Sequence, residues 1–260
     1  MRLIKQCKWR YHPDECGTIQ FGSLYYYRSA HEEIRDPKEG IHLARLNVAS
    51  GSRMELEVAS LLLNPHVVIR SEGQVYRESA FAKLNDVSFN NSGDGFIEIE
   101  AMKGDIYFNK GNHFIFCMSE DRPDLQVFEQ YDSSWSIDRS DVEKFARYVS
   151  WQFKKYAPTK LFVGLEVFGK KLRQVPGVSV QIEHRGVSYG ERVSDIDQSN
   201  IPDERQAREM LEGISFRKES RDKKQYEYRF VVRVFRNGVP VQEKVSNRFV
   251  TIPFSLSELA

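Results

Sequence analysis

A glutamate and an arginine two residues apart, Glu227 and Arg229, interrupt a stretch that otherwise reads as a buried strand, "KKQYEYRFVVRVF" from Lys223 to Phe235. Residues two apart on a strand share a face. Tyr226, Tyr228, Phe230, Val232 and Val234 therefore line one side, and Glu227, Arg229, Val231, Arg233 and Phe235 the other. Cβ atoms at that spacing lie roughly 7 Å apart, so a carboxylate and a guanidinium can both reach one small polar ligand. The same residues also read as a surface ion pair on a half-exposed sheet, worth about 0–1 kcal/mol.

Three further stretches carry polar groups that a packed strand does not require. In "GSLYYYRSAHEEIRDPKEG" three tyrosines run into Arg28. One of them can stack on a flat ligand while the guanidinium takes phosphate; alternatively, the run is an aromatic sheet edge. "HFIFCMSED" ends an apolar strand in Ser119, a hydroxyl placed either for a ligand or for a turn. Its Cys117 has no Cys-His arrangement and reads as a small hydrophobe. "FRKESRDKKQ" places Lys218, Lys223 and Lys224 beside Glu227, a patch for a polyanion or a solvated loop. No Gly-rich phosphate loop accompanies any of them, which excludes the P-loop and Rossmann classes.

The elements that must hold these residues are mostly strands. Strand signals fall at "GTIQFGSLYYY", "HVVIR" (66–70), "GFIEIEAMKGDIYF" (95–108), "HFIFCM" (113–118) and "KLFVGLEVF" (160–168), with "MKGD" and "FRNGVP" as hairpin turns. "RSDVEKFARYVSWQFKKYAP" is an amphipathic helix with Val142, Phe145, Val149, Phe153 and Tyr156 on one stripe and a Ser140/Glu143 capping box. "PDERQAREMLEG" is a second helix, with acidic residues first and glycine last. Helices laid on a largely antiparallel sheet give an α+β fold, and no seam divides residues 1–260, so one domain is expected.

With 260 residues, 40% of them hydrophobic and 29% charged, the chain has the composition of a globular protein with a sizeable core. Its apolar runs are too short to span a bilayer, and the start, "MRLIKQCKWRYHPDE", lacks a secretory signal, so the expectation is a cytoplasmic protein with no membrane partner. Three cysteines without C-x-x-C spacing and six scattered histidines predict free thiols and no metal. Lysine plus arginine is 38 against 37 for aspartate plus glutamate, so nucleic acid can be held only by a local patch.

The order of the pieces, "LYYYRS" leading into "EEIRDPKEG", then "FCMSE", "FEQYD", "LFVGLEV", "VSYGERV" and "FRKES…KKQYEYRFVV", resembles a bacterial domain family that looks like a divergent branch of the ADP-ribosyltransferases. The match runs in order over residues 17–235. Members of that family carry an N-D-P-like loop, a C-F-S strand end and a terminal E-x-E-x-R-like strand. This chain has "IRDP", "FCMS" and "YEYR" at those places.

The resemblance implies a split-sheet ADP-ribosyltransferase-like core, NAD as the donor substrate, and a toxin of antiphage-defence or toxin–antitoxin loci with an antitoxin protein as partner. It also implies Glu227 as the transferase glutamate, with Ser119 and Tyr27 catalytic. Tyr26, Arg28, Arg229 and Lys5 would hold NAD, with Arg2 the alternative to Lys5 on the first strand. Residue chemistry agrees: cleavage between nicotinamide and ribose develops oxocarbenium character, which a carboxylate beside the sugar opposes. Lys218, Lys223 and Lys224 would engage a nucleic-acid acceptor, RNA before DNA or protein, because single-stranded bases splay onto aromatics. The competing expectation is a non-catalytic α+β domain that binds a partner or a polyanion. Of Tyr26 and Tyr27, one is expected in the pocket and its neighbour in the core, as adjacent strand residues face opposite ways.

Overall fold

The computed structural model describes residues 2–29, 36, 39–63, 81–91, 93–109, 113–165, 169–241, 243–244 and 248–259. Along the chain the strands are β1 (Arg2–Cys7), β2 (Thr18–Ser23), β3 (Ile41–Val48), β4 (Ser52–Glu55), β5 (Phe81–Asn91), β6 (Phe96–Asn109), β7 (Phe114–Glu120) and β8 (Ser133–Asp138). They continue as β9 (Val178–Gly186), β10 (Ser188–Tyr189), β11 (Val193–Asp197), β12 (Arg217–Lys218), β13 (Glu227–Arg236), β14 (Val239–Val241) and β15 (Phe249–Pro253). The helices are α1 (Pro13–Cys16), α2 (Leu24–Ser29), α3 (Leu56–Leu63), α4 (Val142–Tyr156) and α5 (Glu204–Glu212). In the eight-stranded and five-stranded sheets the described strand pairs are antiparallel except β11 with β3, and the fold is α+β.

The chain gathers into two compact units, the larger from Met1–Glu39, Asn112–Tyr189 and Lys218–Ala260, the smaller from Gly40–Gly111 and Gly190–Arg217. Sequence alone shows one run over 1–260 without a seam; the structure instead divides it into these two units. The smaller unit consists of two segments inserted into the larger.

In the larger unit β13 is the spine. One edge pairs with β9, from Tyr228↔Gly186 to Arg236↔Val178, and the other pairs with β7, from Glu227↔Ser119 to Val231↔Ile115. From Glu227 onward the alternation read from sequence holds: Tyr228, Phe230, Val232 and Val234 are buried against Phe116 and Met118 of β7 and the Phe145, Val149 and Phe153 stripe of α4. Tyr226, expected on the same face, instead precedes the strand in a left-handed turn, its hydroxyl donating to Asp124 at 2.7 Å. Asn237 (φ 52°) and Gly238 (φ 81°) make the two-residue turn into β14, both in the left-handed region that this hairpin requires. The Ser140/Glu143 capping box does not form. A 3-10 turn over Arg139–Asp141 leads into α4 and leaves Asp141 at the N-cap without a side-chain bond.

The far edge of β7 is divided between two strands. Leu3 and Ile4 of β1 pair with Glu120 and Ser119 at one end, while Gly22 and Ser23 of β2 pair with Ile115 and Phe114 at the other. Among the described strand pairs, Phe116, Cys117 and Met118 have a partner only on the β13 side. The sheet is therefore forked at β7, with β1 and β2 as its prongs.

Three strand expectations change. Tyr25–Tyr27 lie on α2, not on a strand, because Ser23 ends β2 and its Oγ accepts from the Tyr26 N–H at 3.0 Å, an N-cap that turns the chain helical. "MKGD" is no hairpin: β6 runs straight through it, with Gly104 (φ 148°) opposite a bulge in β5, where a side chain would be strained. At 160–168 a 3-10 turn, Thr159–Leu161, precedes a single bridge from Phe162 to Glu243; 166–168 lie outside the described residues, as does the strand expected at 66–70.

The smaller unit is built on β6, which pairs with β3 and then β4 along one edge and with β5 along the other. Its core joins Leu46, Ile97, Ile99, Met102 and Ile106 to Val58 and Leu62 of α3 and to Ala207 and Met210 of α5. Asp203 caps α5 through the Gln206 N–H at 2.7 Å.

Candidate functional site

Glu227 opens β13 just after Tyr226, whose φ of 44° turns the chain into the strand. Its backbone is fixed on both sides: the N–H donates to the Tyr189 hydroxyl at 2.7 Å and the carbonyl accepts from the Val187 N–H at 2.8 Å. The residue is 7% exposed. One carboxylate oxygen takes the Arg229 Nε at 2.5 Å and the other the Lys218 Nζ at 2.7 Å. Arg229, fully buried, turns its two terminal nitrogens to Glu39 in a bidentate fork of 2.7 and 2.9 Å, the geometry that guanidinium and carboxylate share.

This is therefore no surface ion pair. Two carboxylates and two cations are buried together, and isolated charges there would cost several kcal/mol each. Burial works against ionisation of Glu227, but the attraction and hydrogen bonds of Arg229 and Lys218 outweigh it and hold the carboxyl well below the usual carboxylate range. Burial works the same way against Lys218 and Arg229, and is again outweighed by Glu227 and, for both, Glu39, which raise them above their ordinary values. Burial pushes the Tyr189 hydroxyl up to about 12. Ionised Glu227 has two of its roughly four acceptor positions occupied by these cations.

The cluster forms part of the wall of a cavity of about 620 Å³ in the larger unit, the size of ligand sites in general. The cavity follows the fork. Glu227, Ser119 and Ile4 stand in one row across β13, β7 and β1 and share a face, and all three line it. Tyr26 and Tyr27 line it from α2, their rings edge-to-face at 5.4 Å. They approach the sheet closely because β2 has a glycine beneath them: a Cβ on Gly22 would meet Tyr27 at 2.8 Å and Tyr26 at 2.9 Å. Burial, with Cys117 and Glu227 close by, raises the Tyr27 hydroxyl well above its ordinary value. Cys117, also on this wall, is raised by burial and by Glu227, so its thiol stays protonated.

Of the residues singled out in the sequence, Glu227, Arg229, Ser119, Tyr26, Tyr27 and Lys5 are brought together around this cavity. The division of the two tyrosines between pocket and core does not hold, because on a helix both reach the cavity. Lys5 lies with its ammonium 5.2 Å above the Phe116 ring. Arg28 is not on the cavity wall; its Nε donates to the Glu39 carbonyl at 2.6 Å and its guanidinium covers Tyr25. Arg2 is tied to Asp121 at 3.0 Å. Lys218 is no part of an exposed basic patch: it is buried against Glu227 and Gln225, while Arg221, Lys223 and Lys224 of that run are exposed. Glu39 and Tyr189 were not foreseen. A carboxylate two residues after a proline carries no spacing signal for a partner 190 residues on.

Comparison with family models, curated proteins and solved structures finds no match to this chain. No helix among the described residues is long and apolar enough to cross a membrane.

Proposed function

We propose that this protein is an NAD-dependent ADP-ribosyltransferase whose acceptor is nucleic acid, RNA before DNA or protein. The observation that carries this reading is the ionised, immobilised carboxylate of Glu227 at the fork of the sheet, on the wall of a cavity that two tyrosines also line. In the reaction the bond between ribose C1′ and nicotinamide breaks, nicotinamide leaves with the electron pair, and an acceptor atom bonds C1′ and gives up its proton. Positive charge on the ribose is opposed by Glu227, whose orientation is set in advance by Arg229 and Lys218, so no reorganisation is needed as charge develops. Tyr26 and Tyr27 offer aromatic surface for the nicotinamide ring, Ser119 a hydroxyl in the row of Glu227, and Lys5 a cation for pyrophosphate. The toxin role and the antitoxin partner rest on the family resemblance.

A second reading has its own support: both oxygens of Glu227 are already paired with cations, as in a purely structural ion network of a partner- or polyanion-binding domain. One experiment separates the two. Wild-type protein and Glu227→Gln are incubated with labelled NAD and total RNA, DNA and protein, and products are read by mass spectrometry alongside a thermal melt. The transferase reading expects wild-type transfer and a loss of about 10²–10³ in the folded variant. Wild-type protein that never consumes NAD, with a variant that only loses stability, leaves the structural reading standing.

A further inference from the structure

The cations that line the cavity divide into two kinds. Lys218 and Arg229 are engaged by carboxylates at hydrogen-bond distance. Lys5, Lys8 and Arg10 also line it, and Lys8 and Arg10 enter no ion pair among the described residues. Those last two continue the line of β1 beyond the fork into a 3-10 turn, Trp9–Tyr11.

This turn presents large aromatic surface to solvent. Tyr11, on the cavity wall, is 55% exposed, and Trp9 is 51% exposed. It is nevertheless tied down by hydrogen bonds and ring contacts. The Trp9 N–H donates to Asp132 at 2.6 Å, the Tyr11 N–H to the Lys8 carbonyl at 2.8 Å and the His12 N–H to the Trp9 carbonyl at 2.8 Å. The Trp9 ring stacks on buried His12 at 5.0 Å, and the Arg10 guanidinium lies 4.8 Å over Tyr11. Exposed aromatic faces interleaved with cations that pair with no described carboxylate suit a single-stranded nucleic acid: bases stack on any aromatic face, and cations track the phosphates.

Spacing adds a second constraint. Ile4 stands in the row of Glu227 and Ser119, and Lys8 follows four residues later, about 13 Å along the strand. A small acceptor at Glu227 does not reach that far. A strand of stacked nucleotides rising about 3.4 Å each covers the distance in roughly four.

Resting on the transferase reading, we infer that the end of β1 and the Trp9–Tyr11 turn form the docking surface for the acceptor, a single-stranded nucleic acid whose phosphates meet Lys8 and Arg10 and one of whose bases stacks on Tyr11. The inference moves acceptor recognition away from the lysine run at 218–224 to the opposite end of the chain.

The test is fluorescence anisotropy of labelled 12-nucleotide single-stranded RNA and DNA with the full chain and no NAD, against wild type, Lys8→Glu/Arg10→Glu, Tyr11→Ala, and Lys154→Glu/Lys155→Glu on α4 as a charge-matched control. Circular dichroism checks that each variant is folded. Expected are a loss of at least tenfold in affinity and a salt slope about 2 units shallower for the double variant. Tyr11→Ala should weaken binding with the slope unchanged, and the control should bind as wild type. Binding of RNA and DNA alike assigns recognition to phosphate and base face; RNA alone adds the 2′-hydroxyl. Wild-type affinity in the double variant, equal loss in the control, or transfer to protein by a chain that binds neither strand overturns the inference. NAD consumption by the wild type is scored separately. A chain that consumes NAD without binding nucleic acid sinks the docking surface alone, and one that binds through this turn without consuming NAD sinks the transferase reading alone.

Discussion

Arg229 in the larger unit is answered by two carboxylates, whereas Arg217 in the smaller unit is answered by a neutral ring. Arg217 donates to the Nδ1 of buried His42 at 3.1 Å, and Arg192, itself buried, donates to the Arg217 carbonyl at 3.0 Å. A guanidinium can only donate, so His42 carries its proton on Nε2 and donates it to the Ser194 hydroxyl at 3.0 Å. Burial, Arg217 and Arg192 drive the His42 pKa down to about 4. A serine beside a histidine resembles a nucleophile and its base, but here the histidine has no lone pair to offer the serine. The difference is instructive: both clusters are buried and charged, but at Glu227 the ion is a carboxylate fixed by two cations on the wall of a cavity, whereas at His42 the buried base is neutral.

The comparison breaks most easily at the arginines. Arg229→Met leaves Glu39 and Glu227 without their shared cation and should lower stability by about 3–5 kcal/mol in urea denaturation at pH 7. A loss below about 1 kcal/mol would mean that the four-charge network is not what holds this face.

Acid should separate the two units next. His42 has a folded pKa of about 4 against an ordinary 6.5, so between those values the unfolded chain binds a proton that the folded one refuses. Stability from this site is complete above pH 6.5 and falls as pH drops towards 4, by up to about 3 kcal/mol. Glu227 is also lowered, from 4.5, so its contribution holds to about that pH and is lost only in stronger acid. Amide exchange at Ala44 and Leu46 of β3 should therefore accelerate between pH 6.5 and 4.5, after correction for intrinsic rates, before that at Arg229 and Val231 of β13. Simultaneous loss would show that the clusters do not govern their own units.

The smallest effect belongs to Arg217→Met. Its partner is uncharged, so the change should cost about 1 kcal/mol, and with that positive neighbour gone the His42 pKa should rise in an NMR titration. A loss as large as that of Arg229→Met would erase the distinction.

What sequence conveys well is periodicity. The alternation of β13 from Glu227 on, the stripe of α4 and the Asn237–Gly238 turn are local patterns, and each forms as read. The tyrosines went astray because aromatic β-propensity favours a strand, while Ser23, three residues before Tyr26, supplies the cap that decides otherwise. That signal was in the sequence. Glu227 and Arg229 were legible as charges on a strand face, but their burial was not, since it depends on Glu39 and Lys218 arriving from other segments. The two units were illegible for the same reason: a segment inserted between paired strands leaves no change of composition at its ends.

The fork at β7 also has a consequence in time. Its two prongs and β7 itself lie within the first 120 residues, but Glu227 and Arg229 arrive about a hundred residues after the strand they pair with, and Arg229 meets Glu39 across 190. Pairings so remote form late, and during synthesis the N-terminal strands leave the ribosome long before β13. A growing chain can thus display the prongs, the tyrosines and the Trp9–Tyr11 turn without the carboxylate between them. Docking of β13 installs Glu227 and neutralises Glu39 in a single event, so whatever this site does is withheld from every chain that has not yet grown past β13.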